Sequence, residues 1–326
     1  MKVVAIGGGT GLSTLLRGFK HHVAEPGREA ESRPEITRLT AIVTVTDEGG
    51  SSGRLRRDFR ILPPGDIRNC LVALAEDEQL LTQLFNYRFA SGHGLRGHSL
   101  GNLLLAALTH LTHDFTKAVR VSSEVLAIRG EIFPATLADV HLEAERVDGV
   151  VIHGERRINK TRVPIHRLKI VPRRCRPLPE ALAAIREADL ITLGPGSLYT
   201  SLIPNLLVHG IRDAIAHARA VKVLVGNLMT QPGESRGYSA ADHVRAIQEH
   251  AGGKIFDHIV LNTRPLSRAL LKRYAAERAA PVELDLDAVR ALGVKPLCAD
   301  LLEEDRVARH DSRRLAQLLL SLPKRR

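Results

Sequence analysis

Four glycines occupy the five positions 7–11, GGGTG, directly behind the apolar run VVAIG and directly ahead of LSTLLRGF, whose apolar residues recur at helical spacing. In a strand, glycine turn and helix of this kind, backbone N–H groups can close on an anion while the helix adds the positive end of its dipole. Gly8, Gly9, Thr10 and Gly11 are therefore candidate phosphate contacts, with Ser13 as a further hydroxyl. The loop is not a dinucleotide fingerprint, because the sixth position from Gly7 is Leu12 and from Gly9 is Thr14. Nor is it a Walker A loop, since Leu12 follows Gly11 where Lys is required. A turn whose glycines only permit close packing is the other reading. GPGSLYTS repeats the small-residue turn ahead of a second helix, with Gly196, Ser197 and Thr200, so two anion cradles are expected to face one crevice.

Asp47 and Glu48 in TDEGGSSG and Asp66 in PPGDIRN follow strand-like or proline-rich stretches. Carboxylates there can hold Mg²⁺, orient a ribose hydroxyl or cap a helix, and these three are the metal candidates. Arg54, Arg56 and Arg57 can neutralise phosphate or lie on an exposed helix face. GHSLGN places His98 beside Ser99, with Asn102 close behind. No GxSxG elbow accompanies them, so His98 and Asn102 read as ligand hydrogen-bonding groups or as helix-capping and core groups rather than as members of a triad.

The elements that must position these residues alternate strand and helix. Strand-like runs recur at VVAIG, LTAIVTV, LITLG, VKVLVG and KIFDHIVLNT, with helical patterns at 70–74, 80–89, 94–111, 181–187 and 242–250. The class is α/β, a mostly parallel sheet covered on both faces, whose carboxyl-end loops converge on one crevice. Those loops are GGGTG, TDEGGSSG, GPGS, GNLMTQPG and LNTRP. Residues 121–171, with VLAIRG, GVVIHG and RLKIVP, read as a strand-rich extension, and 21–38 as a polar surface excursion. We read 1–326 as one domain.

The formal charge of +11, from 47 Lys+Arg against 36 Asp+Glu, favours anionic partners. The basic residues are scattered, and the clusters at 156–157, 173–176 and Lys324 to Arg326 read as solvated surface. Aromatics make up 3% and Trp is absent, which argues against a base-stacking surface, and no nucleic-acid motif is present, so no specific nucleic-acid partner is expected. Cys70, Cys175 and Cys298 lie too far apart for a CxxC site or a readable disulfide framework. The chain opens directly on a strand, and no apolar run is long enough to cross a membrane. A cytoplasmic protein without membrane insertion is expected.

AIGGGTGLSTLLRGFK, TVTDEGGSSGRLRRDF, LPPGDIRNCLVALA, LRGHSLGNLLLAAL, GPGSLYTSLIPNLL, NLMTQPGES and RHD run in order from residue 3 to residue 311. Together they resemble the bacterial gluconeogenesis factor family, also called YvcK-like. The resemblance implies a Rossmann-like three-layer sandwich that binds nucleotides, notably UDP-activated sugars such as UDP-N-acetylglucosamine. The family is associated with growth on gluconeogenic carbon sources, cell shape and peptidoglycan synthesis, and no catalytic reaction is attached to it. The related 2-phospho-L-lactate transferase, CofD, moves a phospholactyl group from a guanylylated donor. This implies an alternative, a Mg²⁺-dependent transferase, and NAD or another nucleotide could occupy the same crevice. The chain departs from the transferase at TVTDEGGSSG and LPPGDIRN, and from the regulators at Glu48, where a second Asp is usual. The resemblance carries the ligand-binding role to Gly8, Gly9, Thr10, Gly11, Asp47, Ser51, Ser52, Asp66, His98, Asn102, Gly196, Ser197, Asn227, Tyr274 and Arg309. The implied partners are the nucleotide sugar, cell-wall or regulatory proteins, and a second copy of the chain.

Overall fold

The computed structural model describes residues 1–24, 36–76 and 80–323. Most of the excursion read over 21–38, and the basic cluster Lys324 to Arg326, lie outside the described residues. The strands, in chain order, are β1 (Lys2–Gly7), β2 (Arg38–Val43), β3 (Glu131–Pro134), β4 (His141–Arg146), β5 (Val151–His153) and β6 (Ile165–Val171). They continue with β7 (Leu190–Leu193), β8 (Val221–Val225), β9 (His258–Asn262), β10 (Lys295–Ala299), β11 (Leu302–Glu304) and β12 (Ala308–His310).

Among the described residues, seven strands form the central sheet in the order β10-β9-β8-β7-β1-β2-β3, and every neighbouring pair is parallel. The inner strands are nearly continuous apolar runs, and β7 and β8 are buried along their whole length, as strands covered on both faces must be. The α/β class and its layered, mostly parallel sheet are thus as expected. The helix Gly9–Lys20 buries Leu12, Leu15, Leu16 and Phe19 and packs against the helices Gly65–Leu74 and Ser312–Leu320. Strand order reverses between β1 and β7, which opens a crevice beyond their carboxyl ends.

The extension is smaller than 121–171. Val125 ends the helix Phe115–Val125, whose start is capped by Asp114 accepting from the Thr116 and Lys117 N–H groups. VLAIRG is therefore the end of that helix and a turn, with Ala127 at φ +45°, rather than a strand. The next strand, β3, joins the main sheet beside β2. What remains is the antiparallel sheet β5-β4-β6. The helix read over 80–89 stops at Asn86, after which the Phe89 N–H donates to the His98 carbonyl. Among the described residues no helix is long and apolar enough to cross a membrane.

Candidate functional site

At the reversal point, the loops after β1 and β7 meet. A Cβ on Gly11 would lie 2.2 Å from the Pro195 carbonyl oxygen and 2.9 Å from the Gly196 nitrogen, so the two glycine loops cross backbone to backbone and only glycine fits. The Asn205 amide donates to the Gly7 carbonyl at 3.3 Å and to the Ser201 carbonyl at 2.8 Å, tying the second helical segment to the end of β1. Above this crossing lies a crevice of about 520 Å³. Gly8, Gly9, Thr10, Gly11, Gly196, Ser197, Asn227, Tyr274 and Arg309 all line it.

The two loops are not equivalent. Gly8, the N-cap of the helix Gly9–Lys20, offers no side-chain cap; Asp66 takes the Gly9 N–H, and the N–H groups of residues 10 and 11 can donate to an anion. The second loop leads into the π-helical turn Leu198–Leu202, and there Glu234 already supplies the negative charge. Its carboxylate accepts from the Tyr199 N–H at 2.7 Å, the Thr200 N–H at 3.2 Å and the Thr200 hydroxyl at 2.7 Å. Burial pushes the Glu234 carboxyl above its ordinary range, against the pull of those three bonds. The expectation of two open cradles is thus corrected to one. Thr200 is used internally, and Ser201 faces the crevice in its place. Ser13 is likewise turned inward, donating to the Thr10 carbonyl at 2.9 Å.

The opposite wall comes from the end of the chain. The Ala308 N–H donates to the Tyr274 hydroxyl at 2.9 Å, pinning the helix Arg268–Ala276 to β12. Next along β12, Arg309 is exposed and, among the described residues, its side chain makes no hydrogen bond or ion pair. Its guanidinium is available to phosphate oxygens. From the β8 side, Asn227 accepts from the Gly196 N–H at 3.4 Å and Gln231 donates to the Ser197 hydroxyl at 2.8 Å.

Asp47, Ser51, Ser52, Asp66, His98 and Asn102 do not line this crevice. They gather beyond it, around the starts of the helices Gly50–Phe59 and Gly65–Leu74. Ser51 hydrogen-bonds His98 Nδ1 at 2.9 Å, and Asn102 donates to Ser52 at 3.4 Å. A Cβ on Gly65 would fall 2.4 Å from Asp47 Oδ2 and 2.5 Å from the Ser52 hydroxyl, so these three positions touch. Burial, with Arg54 and Arg88 nearby, lowers the His98 pKa, keeping that ring neutral at pH 7. Asp66 bridges the two groups by accepting the Gly9 N–H, and burial and the Asp47 charge raise its pKa to about 7. Arg56 is neither an exposed nor a phosphate-facing residue. It is buried and donates to Asp139 at 2.8 Å, anchoring the segment that leads into β4.

Glu48 is turned away from Asp47, with its carboxylate 3.3 Å from His141 Nδ1. The Glu48 N–H instead donates to Glu155 at 2.7 Å. Glu155, raised to about 8 by burial and by Asp47, thus brings a third carboxylate, from the short helix Glu155–Ile158 between β5 and β6, to the Asp47–Asp66 pair. Among the described residues no group of three or more His, Cys, Asp or Glu side chains is arranged to hold a metal ion. Sequence reasoning did not single out Glu155, Glu234 or Gln231. Nothing local to VIHGERR or TQPGES marks these residues, because the groups they hold lie 34 to 107 positions away along the chain.

A family description, 2-phospho-L-lactate transferase CofD, matches residues 3–302. The chain is 48% identical over 319 residues to a gluconeogenesis factor of Halalkalibacterium halodurans, covering 98% of this chain and 95% of that protein. It is 46% identical over 324 residues to a gluconeogenesis factor of Bacillus subtilis, covering 99% and 98%. The crystal structure of protein BH3568 from Bacillus halodurans superposes with a TM-score of 0.92 at 47% identity, covering 98% of this chain and 99% of that one.

Proposed function

Since this chain belongs to the CofD family and is similar to gluconeogenesis factors over nearly its whole length, we propose that it is a cytoplasmic regulator of carbon metabolism, cell shape and peptidoglycan synthesis that works by binding a UDP-activated sugar of the UDP-N-acetylglucosamine type. One observation carries this reading. The uncapped start of the helix Gly9–Lys20 opens into a crevice at the strand-order reversal, with the unpaired Arg309 across from it. A diphosphate takes the N–H groups of residues 10 and 11 and the Arg309 guanidinium, while Tyr274 flanks the base. Regulation follows if the bound state prefers one conformation and that conformation meets a protein partner. Calorimetric titration with UDP-N-acetylglucosamine, and with GDP, NAD and UDP as comparisons, tests it. Selective binding of the UDP-sugar, lost in Tyr274→Ala and Arg309→Ala, is expected; a preference for GDP, or indifference to both substitutions, overturns it.

A second reading, a Mg²⁺-dependent transferase of a phosphate-linked group, is favoured by one observation: Asp47 and Asp66 touch the same loop system that cradles the phosphate. Mg²⁺ commonly uses one or two carboxylates plus waters and substrate phosphates, so Asp47 and Asp66 fit it as ligands, while Glu48, facing His141, does not. A bound Mg²⁺ would neutralise phosphate charge during transfer. Nucleotide consumption that depends on Mg²⁺ and is lost in Asp47→Asn would establish this reading. Intact nucleotide after long incubation with acceptors would remove it.

A further inference from the structure

Beside the crevice, and sharing Pro232 and Glu277 with it, lies a second cavity of about 310 Å³. Four cations from three separate segments line it: Lys160 and Arg162 before β6, Arg236 after β8, and Arg278 just past the helix Arg268–Ala276. Glu277 is the only carboxylate in its lining. Among the described residues none of the four cations makes a side-chain hydrogen bond or ion pair. Some other arginines pair with a carboxylate, Arg38 with Glu131, Arg290 with Asp287 and Arg314 with Asp300; what distinguishes these four cations is that they gather in one concavity. Unneutralised charge gathered in a concavity focuses the field on whatever enters, and attracts anions.

The cavity is also built rather than incidental. A Cβ on Gly233 would lie 2.0 Å from the Asn159 carbonyl oxygen, so the two loops that carry Lys160, Arg162 and Arg236 are locked backbone to backbone. Arg278 sits at φ +62°, a left-handed conformation that a Cβ-bearing residue adopts at a cost. The chain holds this arginine there where glycine would be easier.

We infer that this cavity is a second anion subsite, which takes a phosphate or carboxylate group of a small molecule next to the nucleotide. The inference rests on the nucleotide reading of the main crevice. The anion has two sources: a further acidic substituent on the crevice ligand itself, or a separate anionic effector. Four cations with one acid suit a multiply charged group, and the shared wall at Pro232 and Glu277 brings it within reach of either source.

The test uses the full chain and a variant with Lys160→Ser, Arg162→Ser, Arg236→Ser and Arg278→Gly, the last chosen because glycine accepts φ +62° without strain. In one arm, inorganic pyrophosphate is titrated calorimetrically onto protein saturated with UDP-N-acetylglucosamine. In the other, UDP-glucuronic acid is compared with UDP-N-acetylglucosamine. A separate effector is indicated if pyrophosphate binds the parent chain and loses about tenfold or more in the variant. A ligand substituent is indicated if the parent chain prefers the glucuronate by about tenfold and the variant does not. If the variant still melts like the parent, and both pyrophosphate affinity and the glucuronate preference are the same in the two proteins, the subsite is overturned. Should UDP-N-acetylglucosamine fail to bind the parent chain, the nucleotide reading falls. The pyrophosphate arm, run without nucleotide, then decides the subsite from the difference in the number of sites between parent and variant.

Discussion

Arg309 and Gly11 show how differently single residues serve this site. The Arg309 side chain is exposed and unpaired, so under the proposed nucleotide reading Arg309→Ala removes a phosphate contact and little else. We expect UDP-N-acetylglucosamine affinity to fall about tenfold or more, the scale of one charge-assisted pair, with an unchanged melting temperature, measured by calorimetry and thermal denaturation on the same samples. Gly11→Ala forces a Cβ to within 2.2 Å of the Pro195 carbonyl, and neither loop backbone can yield without moving the other. Here stability falls first, by about 2–4 kcal/mol in denaturant titration, and binding follows. Glu234→Ala strands the N–H groups of Tyr199 and Thr200, at a cost of about 2–4 kcal/mol. Gly8 to Gly11 were legible because a glycine-rich turn between a strand and a helix has few uses. Glu234 was not, since a lone Glu in a polar loop carries no sign of the helix it will cap.

The helices Gly50–Phe59 and Gly65–Leu74 begin side by side and crowd Asp47, Asp66 and Glu155 together. Asp66 is raised from 3.8 to about 7 and Glu155 from 4.5 to about 8. Between the ordinary and the raised values the folded protein binds more protons than the unfolded chain, so stability declines as pH rises through that window. Buried histidines with lowered pKa, His310 foremost, act in the opposite sense below about pH 6.5, so the contribution is read as a difference: from about pH 4 to about pH 8 the stability of the parent should fall relative to that of Asp66→Asn. A decline of the same size in Asp66→Asn would contradict the assignment. At this scale the sequence showed that TDEGGSSG follows the end of a strand, which its loop composition makes plain; PPGDIRN instead follows the helix Gly50–Phe59. The sequence did not show that Asp47, Ser51 and Ser52 stay out of the crevice lining while Asp66 reaches back to the Gly9 N–H, because that depends on how two short helices pack. The extension was misjudged at VLAIRG for a related reason: a β-branched and apolar run reads as strand, yet Asp114 had already started a helix that reaches Val125.

Across the whole molecule, the strand order β3-β2-β1-β7-β8-β9-β10 puts the reversal point between the two glycine loops, and β12, ahead of the helix Ser312–Leu320, closes the far wall. The alternation of strands and helices made the parallel sheet readable. The closure by Tyr274 and Arg309 was not readable from pattern, since β11 and β12 are three residues each and, among the described residues, pair only with one another; the resemblance alone pointed to them. Ligand that binds only the folded form should stabilise it by about 2.7 kcal/mol at a hundredfold excess over Kd, raising the melting temperature. The most direct measurement is a crystal structure of the complex with UDP-N-acetylglucosamine. The expected result is the diphosphate over the N–H groups of residues 10 and 11, with the Arg309 guanidinium against it and the second helix start still filled by Glu234. A diphosphate seated at Asp47 and Asp66, or on the N–H groups of Tyr199 and Thr200, would contradict it.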